Sequence, residues 1–163
     1  MPSSTFQGSC AYGDVRYQMT SNPLIVHGCH SRLCQRQTGT AFAQNALIES
    51  SHVELLQGDV EETVLESASG SGQNIARCPK CHIAIWSNYL ITRGGGKKIK
   101  FIRVGTLGEP DKFPPDVHIY TSTKQPWVIL PTDVPAVDEG YEMEKVWSTE
   151  SIKRLDVLHG RNS

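Results

Sequence analysis

The residues best suited to chemistry are Cys78 and Cys81, in the run Arg77-Cys78-Pro79-Lys80-Cys81-His82. A C-x-x-C pair on a tight turn offers two thiolates to one tetrahedral ion, with turn N–H groups free to stabilise the sulfurs. Pro79 stiffens that turn. A thioredoxin-like redox pair would want a helix starting at the motif, whereas Ile83-Ala84-Ile85-Trp86 reads as a strand. Zinc is therefore the expected cofactor, and Cys78 and Cys81 its ligands. Two sulfurs do not complete a structural site, so partners must come from Cys10, Cys29 and Cys34. Spacing alone favours a four-thiolate ribbon of Cys29, Cys34, Cys78 and Cys81, which leaves Cys10 spare and carries no reaction.

The rest of the chain limits the setting. Its 163 residues suit one domain with a sizeable core. A net charge of -1 argues against a dedicated nucleic-acid or membrane-surface binder. No apolar run approaches the ~20 residues that cross a bilayer. Met1 to Gln7 has neither the basic nor the apolar region of a signal peptide, so a cytoplasmic location with reduced cysteines is expected.

The elements that must position these cysteines read as short strands between turns. Strand-like runs are Val15–Met19, Leu24–Val26, Ala41–Ile48, Val53–Leu56, Thr63–Leu65, Ile83–Trp86, Ile99–Val104 and Val117–Tyr120. Gly94-Gly95-Gly96 reads as a hairpin tip, and Ser67 to Gly72 as a flexible loop leading into the knuckle. Prolines recur from Pro110 to Pro135, which suggests an extended segment. Thr149 could cap a final helix presenting Ile152, Leu155 and Leu158 on one face. The expected fold class is mostly β, a single domain with a C-terminal helix.

Several stretches, taken in order, resemble the glutathione-dependent formaldehyde-activating family, the CENP-V/GFA domain. They are Gly8-Ser9-Cys10-Ala11-Tyr12-Gly13-Asp14-Val15-Arg16-Tyr17, then Gly28-Cys29-His30-Ser31-Arg32-Leu33-Cys34-Gln35-Arg36-Gln37-Thr38-Gly39-Thr40-Ala41-Phe42. Ala76-Arg77-Cys78-Pro79-Lys80-Cys81 follows, and then Val104-Gly105-Thr106-Leu107, His118-Ile119-Tyr120 and Lys124-Gln125-Pro126-Trp127. The resemblance implies a zinc-binding β-tent-like domain of short antiparallel sheets over residues 5–130, with 131–163 a C-terminal extension bearing the helix. It also implies two zinc ions. A structural one would lie on Cys10, Cys78 and Cys81, and a catalytic one, with a position open to a thiol substrate, on Cys29 and Cys34. The implied activity is that of a carbon–sulfur lyase acting on adducts of a small thiol, such as glutathione, with an aldehyde.

The chain departs from the family pattern twice. Tyr12 stands where the first motif has its second cysteine, and Ser31 where the second motif has its middle one. Neither hydroxyl is a usual zinc ligand, because each would have to give up a tightly held proton. The structural site thus needs a fourth ligand, and the catalytic site keeps two thiolates. On an extended segment His27, Cys29 and Ser31 share one face and His30 the other. Cys29, Ser31 and Cys34 are the catalytic candidates. Gln35, Arg36 and Thr38, on a polar turn, are candidates to grip a carboxylate of the thiol, with Arg36 offering bidentate geometry. His118 is a candidate acid or base at the substrate. The alternative to an enzyme is a non-catalytic β-scaffold stabilised by zinc, with a binding role.

Overall fold

The computed structural model describes residues 4–67, 70–90 and 96–161. Part of the Ser67 to Gly72 loop and Gly94-Gly95 of the hairpin tip lie outside these residues. The fold is mostly β with short antiparallel and mixed sheets and a C-terminal helix, and the chain gathers into two compact units. None of the described helices is long and apolar enough to cross a membrane.

The first unit comprises Met1–Pro23 and Leu47–Lys112. Strands β1 (Phe6–Ser9), β2 (Arg16–Met19) and β5 (Val53–Gln57) make an antiparallel sheet in the order β1-β2-β5. Alternation along β2 buries Tyr17 and Met19 and turns Arg16 to solvent, the half-buried pattern expected of such a strand. A second antiparallel run, β6 (Glu61–Leu65), β7 (Gln73–Arg77), β8 (Ala84–Tyr89) and β9 (Ile99–Arg103), pairs in that order. Ile75, Ile85 and Ile102 are fully buried in it, and the Trp86 ring meets Tyr17 edge-on, with centroids 5.7 Å apart.

Strand β7 follows the loop read at Ser67 to Gly72 and occupies a stretch to which the sequence assigns no element. Its Gln73 and Asn74 are buried; Gln73 Nε2 donates to Ser87 Oγ at 2.9 Å, which makes burial of that amide tolerable, whereas Asn74 Oδ1 is buried without a partner among the described residues. On β8, Asn88 Nδ2 donates to the Ile99 carbonyl at 2.6 Å. The β7–β8 hairpin matters functionally because its loop, between Arg77 and Ala84, is the cysteine knuckle.

The second unit comprises Leu24–Ala46 and Phe113–Ser163. Strand β3 (Ile25–Cys29) is buried at every position and lies between β4 (Ala43–Glu49) and the parallel β10 (Val117–Ile119). A strand covered on both faces reads as a continuous apolar run, which is why Leu24-Ile25-Val26 stands out. After β3 the chain turns into helix α1 (Arg32–Thr38), not the polar turn expected there. Ser31 caps it by accepting from the Cys34 N–H at 3.2 Å, and Gly39 closes it in the left-handed region (φ 66°).

A short helix, α2 (Met143–Val146), precedes α3 (Thr149–Leu158). The cap of α3 is Ser148, one residue before the expected Thr149, its Oγ accepting from the Ser151 N–H at 3.1 Å. Leu155 is buried, with Ile152 and Leu158 half-buried. Ser151 Oγ donates to the Leu24 carbonyl at 2.7 Å, tying α3 to the start of β3.

Candidate metal centre

The knuckle is held by its own backbone. Cys78 N–H donates to the Ile83 carbonyl at 3.0 Å and His82 N–H to the Cys78 carbonyl at 2.9 Å, with His82 in the left-handed region at φ 61°. The third sulfur beside it belongs to Cys10, the partner the resemblance implies and not the one spacing alone suggests. The ligand atoms of Cys10, Cys78 and Cys81 lie within 4.8 Å of one another. No fourth His, Cys, Asp or Glu joins them among the described residues. Cys10 sits in a tight loop whose Val15 N–H points at its sulfur, 3.4 Å away, while its own N–H donates to the Val15 carbonyl at 3.0 Å.

The donor set fits a thiophilic divalent metal. Burial raises the Cys10 pKa, but N–H groups of Val15 and Tyr12 and the Cys78 and Cys81 side chains outweigh it and bring the thiol down to about 7. At Cys78 the Cys81 N–H lowers the pKa, burial raises it, and the neighbouring thiols leave it above its ordinary value. Three crowded thiols that cannot all ionise in isolation can do so around a cation, so metal uptake must release protons. Tyr12 is 82% exposed. The Lys80 ammonium, ion-paired with Asp14, is close enough to Cys78 and Cys10 to feel their charge.

The second unit gathers Cys29, Ser31 and Cys34. Cys29 Sγ donates to Ser31 Oγ at 3.5 Å, the same oxygen that caps α1 through Cys34 N. The Cys29 thiol is pushed far up by its hydrogen bond to Cys34, then by burial and by the Cys34 charge. No disulfide joins any of the five cysteines. Gln35 spans the gap to the following loop, its amide donating to the His30 carbonyl at 2.7 Å and the Thr123 carbonyl at 3.0 Å. Its oxygen accepts from Gln125 at 2.9 Å. Thr38 Oγ1 donates to the Cys34 carbonyl at 2.8 Å, and Arg36 is exposed.

Sequence reading overlooked Tyr120, whose phenol is held above its ordinary value first by burial and then by Cys29, Glu139 and Cys34. It adopts a left-handed conformation (φ 55°) that no local residue pattern announces.

His118 is buried, with its Nδ1 3.0 Å from His30 Nε2. His30 Nδ1 is buried without a partner, which favours the tautomer that keeps the proton on Nε2 and donates it to His118. On the other side of β3, Trp147 Nε1 donates to Tyr141 Oη at 2.7 Å, and that hydroxyl can donate on to His27 Nε2. Burial lowers the His27 pKa to about 4. Burial, with the charges of His118 and Lys124, does the same to His30. Both rings are thus neutral in the fold and protonate near 6.5 when unfolded. Their contribution is intact above pH 6.5 and is lost as pH falls towards 4. Stability measured by urea unfolding is expected to drop by about 3 kcal/mol for His27 alone across that window. A flat profile between pH 6.5 and 4 would contradict the buried neutral assignment.

Comparison with known proteins places the chain. The model of the family "Glutathione-dependent formaldehyde-activating enzyme" matches residues 5–123, and the protein belongs to that family. No curated protein matches the chain. A crystal structure of a Rhodobacter sphaeroides protein, Northeast Structural Genomics target RhR83, is similar over 80% of this chain and 99% of that one. The identity is 15% and the TM-score 0.47.

Proposed function

We propose that the protein is a zinc-dependent carbon–sulfur lyase of this family, joining or splitting adducts of a small thiol, such as glutathione, with an aldehyde in the cytoplasm. Family membership supports this reaction class, and the convergence of Cys29, Ser31 and Cys34 at one point is the observation that favours it in this chain. Bound zinc would supply Lewis acidity and hold a thiol as its thiolate. Cys29 and Cys34 would hold that ion, and Cys10, Cys78 and Cys81 a structural one. Arg36, exposed beside them, would take a carboxylate of the thiol, Gln35 and Thr38 would shape its seat, and neutral His118 would accept or relay a proton.

A second reading, a zinc-stabilised scaffold without catalysis, draws on one specific observation. The polar groups of Ser31, Gln35 and Thr38 are already engaged in internal hydrogen bonds. Elemental analysis of metal-replete protein separates the two. The lyase reading expects about two zinc ions per chain, falling to one in Cys29→Ala. A count near one that Cys29→Ala leaves unchanged would end the metal-dependent enzyme reading.

A further inference from the structure

We infer that the Cys10–Cys78–Cys81 centre is itself an open metal site, whose last coordination position is taken by a small-molecule thiol from solution. This rests on the reading above that these three cysteines bind zinc.

A tetrahedral ion needs four donors, whereas three protein ligands and one open position describe a site that can accept a substrate. Three sulfurs meet here within 4.8 Å, and no fourth His, Cys, Asp or Glu accompanies them among the described residues. Residue 12 is the natural source of a fourth donor, because its N–H already bonds to the Cys10 sulfur. Its side chain is instead a tyrosine ring standing 82% exposed. The centre is also reachable. Cys10 and Cys78 are buried, but Cys81 is only partly so, and Ala11, Pro79, Lys80 and His82 around the two loops are exposed.

The donor set selects the class of ligand. Three thiolates on a divalent ion leave one negative charge, and a fourth thiolate adds another. The Lys80 ammonium is close enough to Cys10 and Cys78 to interact with their charge, but it is already paired with Asp14, so charge is not what selects the ligand. A soft sulfur donor suits a thiolate-bound ion better than a hard oxygen one. Binding forms one metal–sulfur bond and releases the proton of the incoming thiol to solvent, with no change of oxidation state.

Cobalt(II) substitution reads this out without any activity assay. The full-length protein carrying Cys29→Ala and Cys34→Ala, so that only this centre takes metal, is reduced with a phosphine, loaded with Co²⁺ and titrated with 2-mercaptoethanol while the visible ligand-field bands are recorded. The same titration is run on Tyr12→Cys and, as a control for loss of the ring alone, on Tyr12→Ala. In that background, the protein with Tyr12 intact and its Tyr12→Ala variant are expected to show a saturable band shift. X-ray absorption should count three sulfurs before titration and four after. Tyr12→Cys should show the four-sulfur spectrum from the start, no response to thiol, and metal affinity raised beyond the roughly 10–100-fold that an outer-shell partner is worth. Failure of Co²⁺ and Zn²⁺ to bind would overturn the metal reading and this inference with it. Thiolate-type bands that ignore 2-mercaptoethanol would leave the metal reading standing and overturn the open position. An unaltered response in Tyr12→Cys would overturn the place of the vacancy.

Discussion

Stripping the metal from the Cys10–Cys78–Cys81 centre is expected to cost about 4 kcal/mol of stability and lower the melting temperature by roughly 10 °C. An ion held there would cross-link two hairpin loops far apart in sequence. It would close the chain between residues 10 and 78 much as a disulfide closing a long loop does. Without it, the same loops hold three adjacent thiols whose mutual crowding already raises the Cys78 pKa. Thermal unfolding before and after chelation, with restoration by added zinc, measures the effect, and Cys78→Ser should reproduce the loss irreversibly. An apo protein that melts at the same temperature as the loaded one would show that the first unit holds its shape by apolar packing alone.

The second large effect is expected at Gly58, in the turn between β5 and β6. Its φ is +75°, and a Cβ there would stand 2.2 Å from the backbone oxygen of Asp14. A backbone atom cannot rotate away as a side chain can, so Gly58→Ala must move the Asp14–Val15 segment. The expected cost is about 3–5 kcal/mol, from left-handed backbone strain together with overpacking. The displaced segment supplies the Val15 N–H that points at the Cys10 sulfur, so metal affinity should fall along with stability. Gly39→Ala is the control. It carries a similar φ of +66° but meets nothing within 4 Å, so only the conformational penalty of about 1–2 kcal/mol applies. Equal losses in the two variants, by denaturant unfolding, would remove the steric argument and with it the link from this turn to the metal loop.

How far the sequence reached depended on whether a feature is local. The knuckle was legible because C-x-x-C chemistry is written in four adjacent residues. Cys10 was not reachable by spacing, since its distance along the chain says nothing about its place in space; the family resemblance supplied it. Strand β7 escaped notice because Gln73 and Asn74 look like loop residues, and what makes the burial of Gln73 tolerable is a partner on another strand, Ser87. Helix α1 has only seven residues and no apolar period, so its two caps, Ser31 and Gly39, were its whole signature. The last helix was found from Ile152, Leu155 and Leu158. Its start was misplaced by one residue because Ser148 and Thr149 are both competent caps. Tyr120 was visible only as the end of the His118-Ile119-Tyr120 stretch, and its left-handed backbone was not, since backbone strain comes from the fold around a residue.

The hydrogen bonds that run from the tail to β3 bear on what the family's minimal unit can be. The family match ends at residue 123, yet the strand carrying Cys29 is fastened by residues beyond it. Tyr141 closes on His27, Trp147 supports Tyr141, and Ser151 holds the Leu24 carbonyl. A chain cut at the family boundary would keep every cysteine and still leave a buried imidazole and a strand carbonyl without their partners. The stretch after residue 123 thus braces the strand that carries the second cysteine motif, and changes there should propagate to that motif sooner than their distance along the chain suggests.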